Sequence, residues 1–264
     1  MTKYHSKPVN HEGIVNWSEE EHSIWYELIT RQQTIISSRA CTAYLEGLAL
    51  LNLPCSRVPQ LPEINAVLQK ETGWRVEPVN ALISFDRFFD LLADKRFPVA
   101  TFLRSREEFD YLQEPDFFHE VFGHCAMLTN PDFAHFTHVY GRLGQLASAE
   151  QRSYLARLYW FTVEFGLVRE NAKIKIYGGG ILSSPGETLY VLNSDRPVKH
   201  PFDIQRVLRT PYRIDIMQPV YYIVDDISEL YRISERGLLQ QIDLAMQSQL
   251  LAPLFSPKES SDAK

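Results

Sequence analysis

Basic residues are in the minority in this chain. Lys and Arg number 27 against 33 Asp and Glu, a formal net charge of -6, and no basic cluster stands out. The electrostatic footprint of a nucleic-acid partner is therefore missing. Cysteine is scarce: Cys41, Cys55 and Cys125 cannot all pair within one chain, and none lies in a Cys-x-x-Cys pattern. They read as reduced thiols in a reducing compartment. No apolar run approaches the roughly 20 residues that span a bilayer. Met1 to His11 is polar and lacks the apolar centre of a signal peptide. Internal repeats and low-complexity linkers are also wanting. These absences exclude a membrane or nucleic-acid protein and predict a cytoplasmic one.

What is present is a large apolar fraction, 45% of 264 residues, with 23% charged. That suffices for a sizeable buried core, and without a linker it predicts one domain over residues 17–250. Residues 1–16 and 251–264 are expected to form a flexible polar lead-in and tail. Ser18 followed by Glu21 is a capping-box pattern opening a helix. Its apolar spacing carries on to Leu51 as one long helix or two short ones, ended by Asn52-Leu53-Pro54. Further helices are predicted over Glu63–Thr72, after Ser84, after Asn130-Pro131, from Ser148 to about Asn171, over Phe202–Arg209 and over Asp225–Gln249. Short strands are predicted near 74–79, 97–103, 173–177, 212–216 and 220–224. The fold class is α+β, predominantly helical.

Two stretches carry chemistry. In the first, Asp116 to His124, His119 and His124 stand five residues apart. In the second, Tyr159 to Leu167, Glu164 is set among aromatic and aliphatic neighbours. Two imidazoles and one carboxylate are the ligand set of a non-haem iron(II) site with open positions. On an α-helix, at about 100° per residue, positions five apart diverge by about 140°. The His-Glu-x-x-His pairing of zinc hydrolases is missed by one residue. Glu164 falls on one α-helical stripe with Ala156 and Trp160. Buried among apolar residues its charge needs a partner, which is a metal, Arg157 or Arg169. His135 and His138 are read as structural.

Four pieces of sequence, in order, resemble the pterin-dependent aromatic amino acid hydroxylases. They are Val58-Pro59-Gln60-Leu61; Glu114-Pro115-Asp116 leading into His119-Glu120 and Gly123-His124; Trp160 to Leu167; and Tyr177-Gly178 through Ser183-Ser184 to Gly186-Glu187. The resemblance covers Trp17 to the helix after Asp225. It implies a catalytic domain in which His119, His124 and Glu164 hold Fe(2+), and Glu120 and Tyr159 stand beside the reaction. Phe88, with Ile83, Ala156 and Glu120, would receive tetrahydrobiopterin or a related reduced pterin. Arg104, supported by Asp116, would grip the substrate carboxylate. Trp160 and Ser183 would line the substrate pocket, with Glu187 and Ser184 behind them supporting the histidines.

The activity so implied is hydroxylation of L-phenylalanine to L-tyrosine with O2 and a tetrahydropterin. A sister activity on tryptophan or tyrosine is the alternative, and a zinc hydrolase is the reading from a different class. Leu112, Gln113 and Pro185 depart from the family pattern and bear on the shape of the substrate loop. The short ends leave no room for the regulatory domain or tetramer-forming helix of the animal enzymes, so a monomer or homodimer is expected.

Overall fold

The computed structural model describes residues 4–112 and 114–257. Gln113 and the last residues of the tail, with the expectations placed on them, lie outside the described residues. Helix α1 (Glu19–Ile36) begins where the sequence said: the Ser18 side chain accepts from the Glu21 N–H, and the Glu21 carboxylate accepts from the Ser18 N–H at 2.6 Å. The long apolar stretch is two helices, since α2 (Thr42–Leu51) starts afresh. No local breaker separates them. The Cys41 N–H donates to Ile176 O at 2.8 Å and the Ile176 N–H donates to Arg39 O at 3.0 Å, so distant strand pairing overrides helix propensity there.

Next come α3 (Leu61–Glu71), β1 (Arg75–Val79), α4 (Phe85–Ala93) and β2 (Arg96–Ala100). Strands β1 and β2 pair in parallel, with Arg75 opposite Arg96. The segment before α1, expected to be loose, is tied down over the residues described. The Lys7 N–H donates to Thr101 O at 2.8 Å, Ser6 Oγ donates to Val79 O at 2.7 Å, and the Val15 N–H donates to Gln60 Oε1 at 2.8 Å.

After a seven-residue π-helical turn, His119–Cys125, follow α5 (Pro131–Leu146) and α6 (Ala149–Tyr159). Helix α6 runs into a second π-helical turn, Trp160–Glu164. The helix expected to reach Asn171 stops at Glu164. Strand β3 (Gly166–Glu170) then turns back into β4 (Lys173–Ile176) through Asn171 and Ala172, whose φ values of 49° and 61° are both left-handed. Two left-handed residues match the twist of an antiparallel hairpin. After α7 (Gly179–Leu182) and α8 (Pro185–Asn193) comes β5 (Val198–Pro201), a strand the sequence reading did not foresee. Residues 212–216, read as a strand, are irregular. Helix α9 (Ile204–Arg209) and β6 (Val220–Val224) complete a four-stranded sheet of order β4-β3-β6-β5. Asp225–Gln249 is broken at Gly237, φ 65°, into α10 (Ser228–Glu235) and α11 (Leu238–Met246). Among the described residues the main hydrophobic core runs from Val15 to Ala245, with a small separate cluster at Ala81, Ala100 and Phe102. Among the described residues no helix is long and apolar enough to cross a membrane.

Candidate active site

The histidine turn is held by its apolar residues. Phe117, Phe118, Val121, Phe122 and Cys125 are all buried; Phe118 stacks on Phe122 at 4.9 Å and meets Trp25 edge-on at 5.7 Å. This packing sets which side the histidines face. The turn itself resolves the spacing conflict. A π-helical turn closes i→i+5 rather than i→i+4, so residues five apart share a face. The Nε2 atoms of His119 and His124 stand 3.1 Å apart.

The second ligand element is wide in the same way, its last turn closed by the Phe165 N–H donating to Trp160 O at 2.8 Å. Glu164 Oε1 lies 3.4 Å from His124 Nε2 and Oε2 lies 3.7 Å from His119 Nε2. With metal–donor bonds of about 2.1 Å, donors at right angles around one ion stand about 3.0 Å apart. Three distances of 3.1 to 3.7 Å therefore suit a facial set around a single divalent ion. Glu120 also brings an oxygen within 4.8 Å of the histidine nitrogens. Glu164 is the stronger candidate, because it lies close to both imidazoles.

The protonation pattern agrees. Ser183 Oγ donates to Gly179 O at 2.8 Å, so it is free to accept the Nδ1–H of His119, 2.9 Å away. That fixes the tautomer with an unprotonated Nε2 facing the site. Burial pushes His119 down to about 4, keeping it neutral. Burial pulls the Glu164 carboxyl up, but His124, His119 and the Gly180 N–H outweigh it and hold it below its ordinary value, as the carboxylate.

The run Gly178-Gly179-Gly180, with Gly123 opposite, is a cradle for these ligands. A Cβ on Gly179 would lie 2.4 Å from the His124 ring, one on Gly180 2.9 Å from Glu164 Oε2, and one on Gly123 2.7 Å from Gly179 O. Only bare backbone fits between the imidazole and α7. Consecutive glycines after a strand are the signal that could have pointed to this. Phe97 is a further neighbour that sequence reasoning passed over, its ring 5.3 Å from the His124 imidazole.

A cavity of about 200 Å³ opens beside the ligands. It is lined by Ile83, Phe88, Glu120 and Tyr159 together with His119 and Glu164. Phe88 and Tyr159 meet edge-on at 5.4 Å. Burial, then the charges of Glu164 and Asp116, pushes the Glu120 carboxyl well above its ordinary range. Burial likewise raises the Tyr159 phenol. Ala156 is not brought to this cavity; it lines a separate groove with Phe85, Arg152, Arg157 and Tyr212. The π turn at Trp160 breaks the α-helical stripe that had joined Ala156 to Glu164.

The residues assigned to the amino acid are buried against other partners. The Arg104 guanidinium is engaged by Asp116 on two sides, Nε to Oδ2 at 2.8 Å and Nη2 to Oδ1 at 2.9 Å. Asp116 also accepts from the N–H groups of Arg104 and His119, both at 3.0 Å, so it links this pair to the first iron-ligand candidate. Burial pulls Asp116 up, yet Arg104 and these N–H groups hold it below its ordinary value. Among the described residues Arg104 Nη1 has only a long contact, 3.5 Å from Phe109 O. The Trp160 indole N–H donates to Gln218 Oε1 at 3.0 Å, and its ring stacks on Tyr212 at 4.5 Å.

Glu187 does not back the histidines. It accepts from the Gln218 N–H at 3.0 Å and from the Tyr221 hydroxyl at 2.6 Å, and so holds Gln218 under Trp160. Ser184 caps α8. Ser183 alone of that group reaches an imidazole, placing it behind His119. Neither Arg157 nor Arg169 is the partner of Glu164: Arg169 pairs with Asp225 at 3.5 Å, and Arg157 donates to Ser153 O at 3.1 Å.

Comparison with known proteins points to one family. The sequence profile described as biopterin-dependent aromatic amino acid hydroxylase matches residues 2–241. The chain is 69% identical over its whole length to the phenylalanine-4-hydroxylase of Vibrio cholerae, covering 91% of that protein. It superposes on the apo structure of the cold-active phenylalanine hydroxylase from Colwellia psychrerythraea with a TM-score of 0.93, at 54% identity, covering 95% of this chain and 97% of that one. It also resembles the Chromobacterium violaceum phenylalanine hydroxylase with bound oxidised Fe(III). There the TM-score is 0.87 and the identity 40%, over 92% of this chain and 89% of that one.

Proposed function

This chain belongs to the biopterin-dependent aromatic amino acid hydroxylases, and from that premise we propose that His119, His124 and Glu164 hold the iron with which it hydroxylates phenylalanine. The enzyme is an iron(II)- and tetrahydropterin-dependent monooxygenase that converts L-phenylalanine to L-tyrosine. The observation that carries the residue assignment is the facial set itself: three donors from two π turns, 3.1 to 3.7 Å apart, His124 buried and His119 and Glu164 partly so, with the His119 tautomer fixed by Ser183. When bound, iron supplies activation of O2 with two electrons from the reduced pterin. The chain supplies position, charge and dryness.

Neutral His119 and ionised Glu164 present lone pairs without competing protons. Glu120, next to His119 in the cavity and protonated more readily than an ordinary carboxyl, is placed to exchange a proton with the pterin edge. Phe88 offers the pterin ring a flat apolar face, with Ile83 and Tyr159 closing the same cavity. Arg104, locked in orientation by Asp116, presents Nη1 to the substrate carboxylate. Trp160, held by Gln218 and Tyr212, forms an aromatic wall beside Glu164. Ser183, expected to line the substrate pocket, orients His119; Glu187, expected behind the histidines, positions Gln218; and Ala156, expected at the pterin, lines the neighbouring groove.

Residues 17–250 form the catalytic unit. The enzyme works in the reducing cytoplasm as a monomer or homodimer, its three thiols free and two of them, Cys41 and Cys125, buried. Iron(II), a tetrahydropterin and air are added to purified protein with phenylalanine and tryptophan together, and products are identified by mass. Pterin-dependent tyrosine is expected. Dominant 5-hydroxytryptophan would move the substrate while leaving the metal. Loss of all hydroxylation despite bound iron would overturn the reading.

A further inference from the structure

The segment ahead of α1 bonds to the ends of two strands and to both loops that border the site. Strands β1 and β2 stay in register up to Val79 opposite Ala100. Beyond that pair they part. The chain after β1 supplies Ala81, Leu82 and Ile83 to the cavity wall, and the chain after β2 leads through Phe102 to Arg104. Ser6 sits in the fork. Its hydroxyl donates to Val79 O at 2.7 Å and accepts from the Thr101 N–H at 3.1 Å, so one oxygen bridges the diverging strands. Lys7 anchors it there: its N–H donates to Thr101 O at 2.8 Å, and its carbonyl accepts from Thr101 Oγ at 2.7 Å.

Tyr4, two residues earlier, reaches the next residue of the same strand extension. Its ring stacks on Phe102 at 4.9 Å, and its hydroxyl donates to Glu108 in the loop after Arg104. Tyr4 and Leu112 cover the small cluster of Ala81, Ala100 and Phe102, which stands apart from the main core. That cluster joins the cavity wall at Ala81, the lead into Arg104 at Phe102, and the loop at Leu112. With so few buried members it depends on Tyr4 for its cover. Residues 80–83 and 105–112 contain neither helix nor strand, so no ladder of their own fixes them. The loop's other ties, Arg31 to Asp110 and Arg106 to Glu27, are surface ion pairs, which hold little individually.

We propose that Ser6 and Tyr4 are positioning residues for the hydroxylation. Ser6 sets the angle at which the cavity wall and the Arg104 strand diverge, and Tyr4 ties the loop after Arg104 to both. A segment remote in sequence from the ligands thus fixes the spacing between the two sides of the site. The inference rests on the assignment of the cavity and of Arg104 to the reacting molecules.

Tyr4→Ala combined with Ser6→Ala is compared with the parent in four ways: steady-state kinetics, calorimetric titration of L-phenylalanine into iron-loaded protein, chelator competition for iron, and melting. The KM for phenylalanine should rise and its calorimetric affinity fall, each about tenfold, for the loss of two hydrogen bonds and a ring stack. The kcat, the iron affinity and the melting temperature should stay near the parent's, because no iron-ligand candidate and no main-core residue is touched. Tyr4→Phe combined with Ser6→Thr keeps the ring and the fork hydroxyl and should recover most of the affinity. His5→Ala, at the exposed position between them, is the control and should change nothing. The proposal is overturned if the double alanine variant binds phenylalanine as tightly as the parent. It is equally overturned if iron affinity and melting fall together with phenylalanine binding, since the segment would then serve the fold at large. If the parent itself neither binds phenylalanine nor makes tyrosine, the substrate assignment is wrong, and this inference falls with it.

Discussion

Substituting Gly179 by alanine tests the metal site through its backbone and touches no ligand. The added Cβ would lie 2.4 Å from both Cε1 and Nδ1 of His124, against the 3.4 Å at which ordinary contact begins. The ring must yield by about 1 Å, twice the tolerance of roughly 0.5 Å within which a site must be held. It cannot retreat freely, because His124 is buried with Phe97 against it. Its Nε2 therefore leaves the facial position. Disturbing the support of a metal ligand typically costs 10- to 100-fold in affinity, and the overpacking costs about 1–3 kcal/mol of stability. Iron affinity is measured by competition with a coloured chelator, and folding by thermal melting. Gly186→Ala is the control: its added Cβ meets nothing nearer than Met217 Cε at 4.0 Å, so affinity and melting should match the unaltered protein. Unchanged iron affinity in Gly179→Ala, with unchanged melting, would show that the glycine run is not a cradle for His124.

Glu164→Ala should lower iron occupancy or abolish coupled hydroxylation while circular dichroism stays native; full iron with full activity would remove Glu164 from the ligand set. Arg104→Ala should do more than weaken the substrate. It strands the fully buried Asp116 carboxylate, a loss of about 3–5 kcal/mol, or roughly 6–20 °C in melting temperature for a domain of this size, and a melt within a degree of the parent would refute the pairing. The same pair sets an acid limit. Asp116 is held below its ordinary value, so its stabilisation is complete above about pH 4 and is lost as the pH falls through the folded value. In Arg104→Ala that acid limb should move to higher pH, which a melt series against pH would show.

Local chemistry was legible wherever a side chain closes its own turn. Ser18, Ser84, Asn130 and Ser148 each cap the helix their sequence context announced. Illegible were features decided at a distance. The gap between α1 and α2 is made by pairing with Ile176, and β3 continues an apolar pattern that reads equally well as helix. The site was visible as residue types and through family resemblance, but its geometry was not. An i→i+5 turn has no side-chain signature, so α-helical angles wrongly separated His119 from His124 and wrongly joined Ala156 to Glu164. Arg104 shows the same limit from the other side: its pairing with Asp116 was legible only through the resemblance, because it depends on burial that composition does not reveal.

Each ligand-bearing π turn can be regarded as an α-helical turn that has gained one residue. Removing a single residue between His119 and His124 would restore ordinary helical pitch and leave a His-Glu-x-x-His pattern, the spacing of zinc hydrolases. A one-codon deletion therefore separates two kinds of metal-binding helix. The deleted chain would keep its apolar face only up to the deletion, with every later residue of the turn rotated away from Trp25 and the core. Insertions and deletions within 119–125 and 160–164 should accordingly be far less tolerated than substitutions at the same positions.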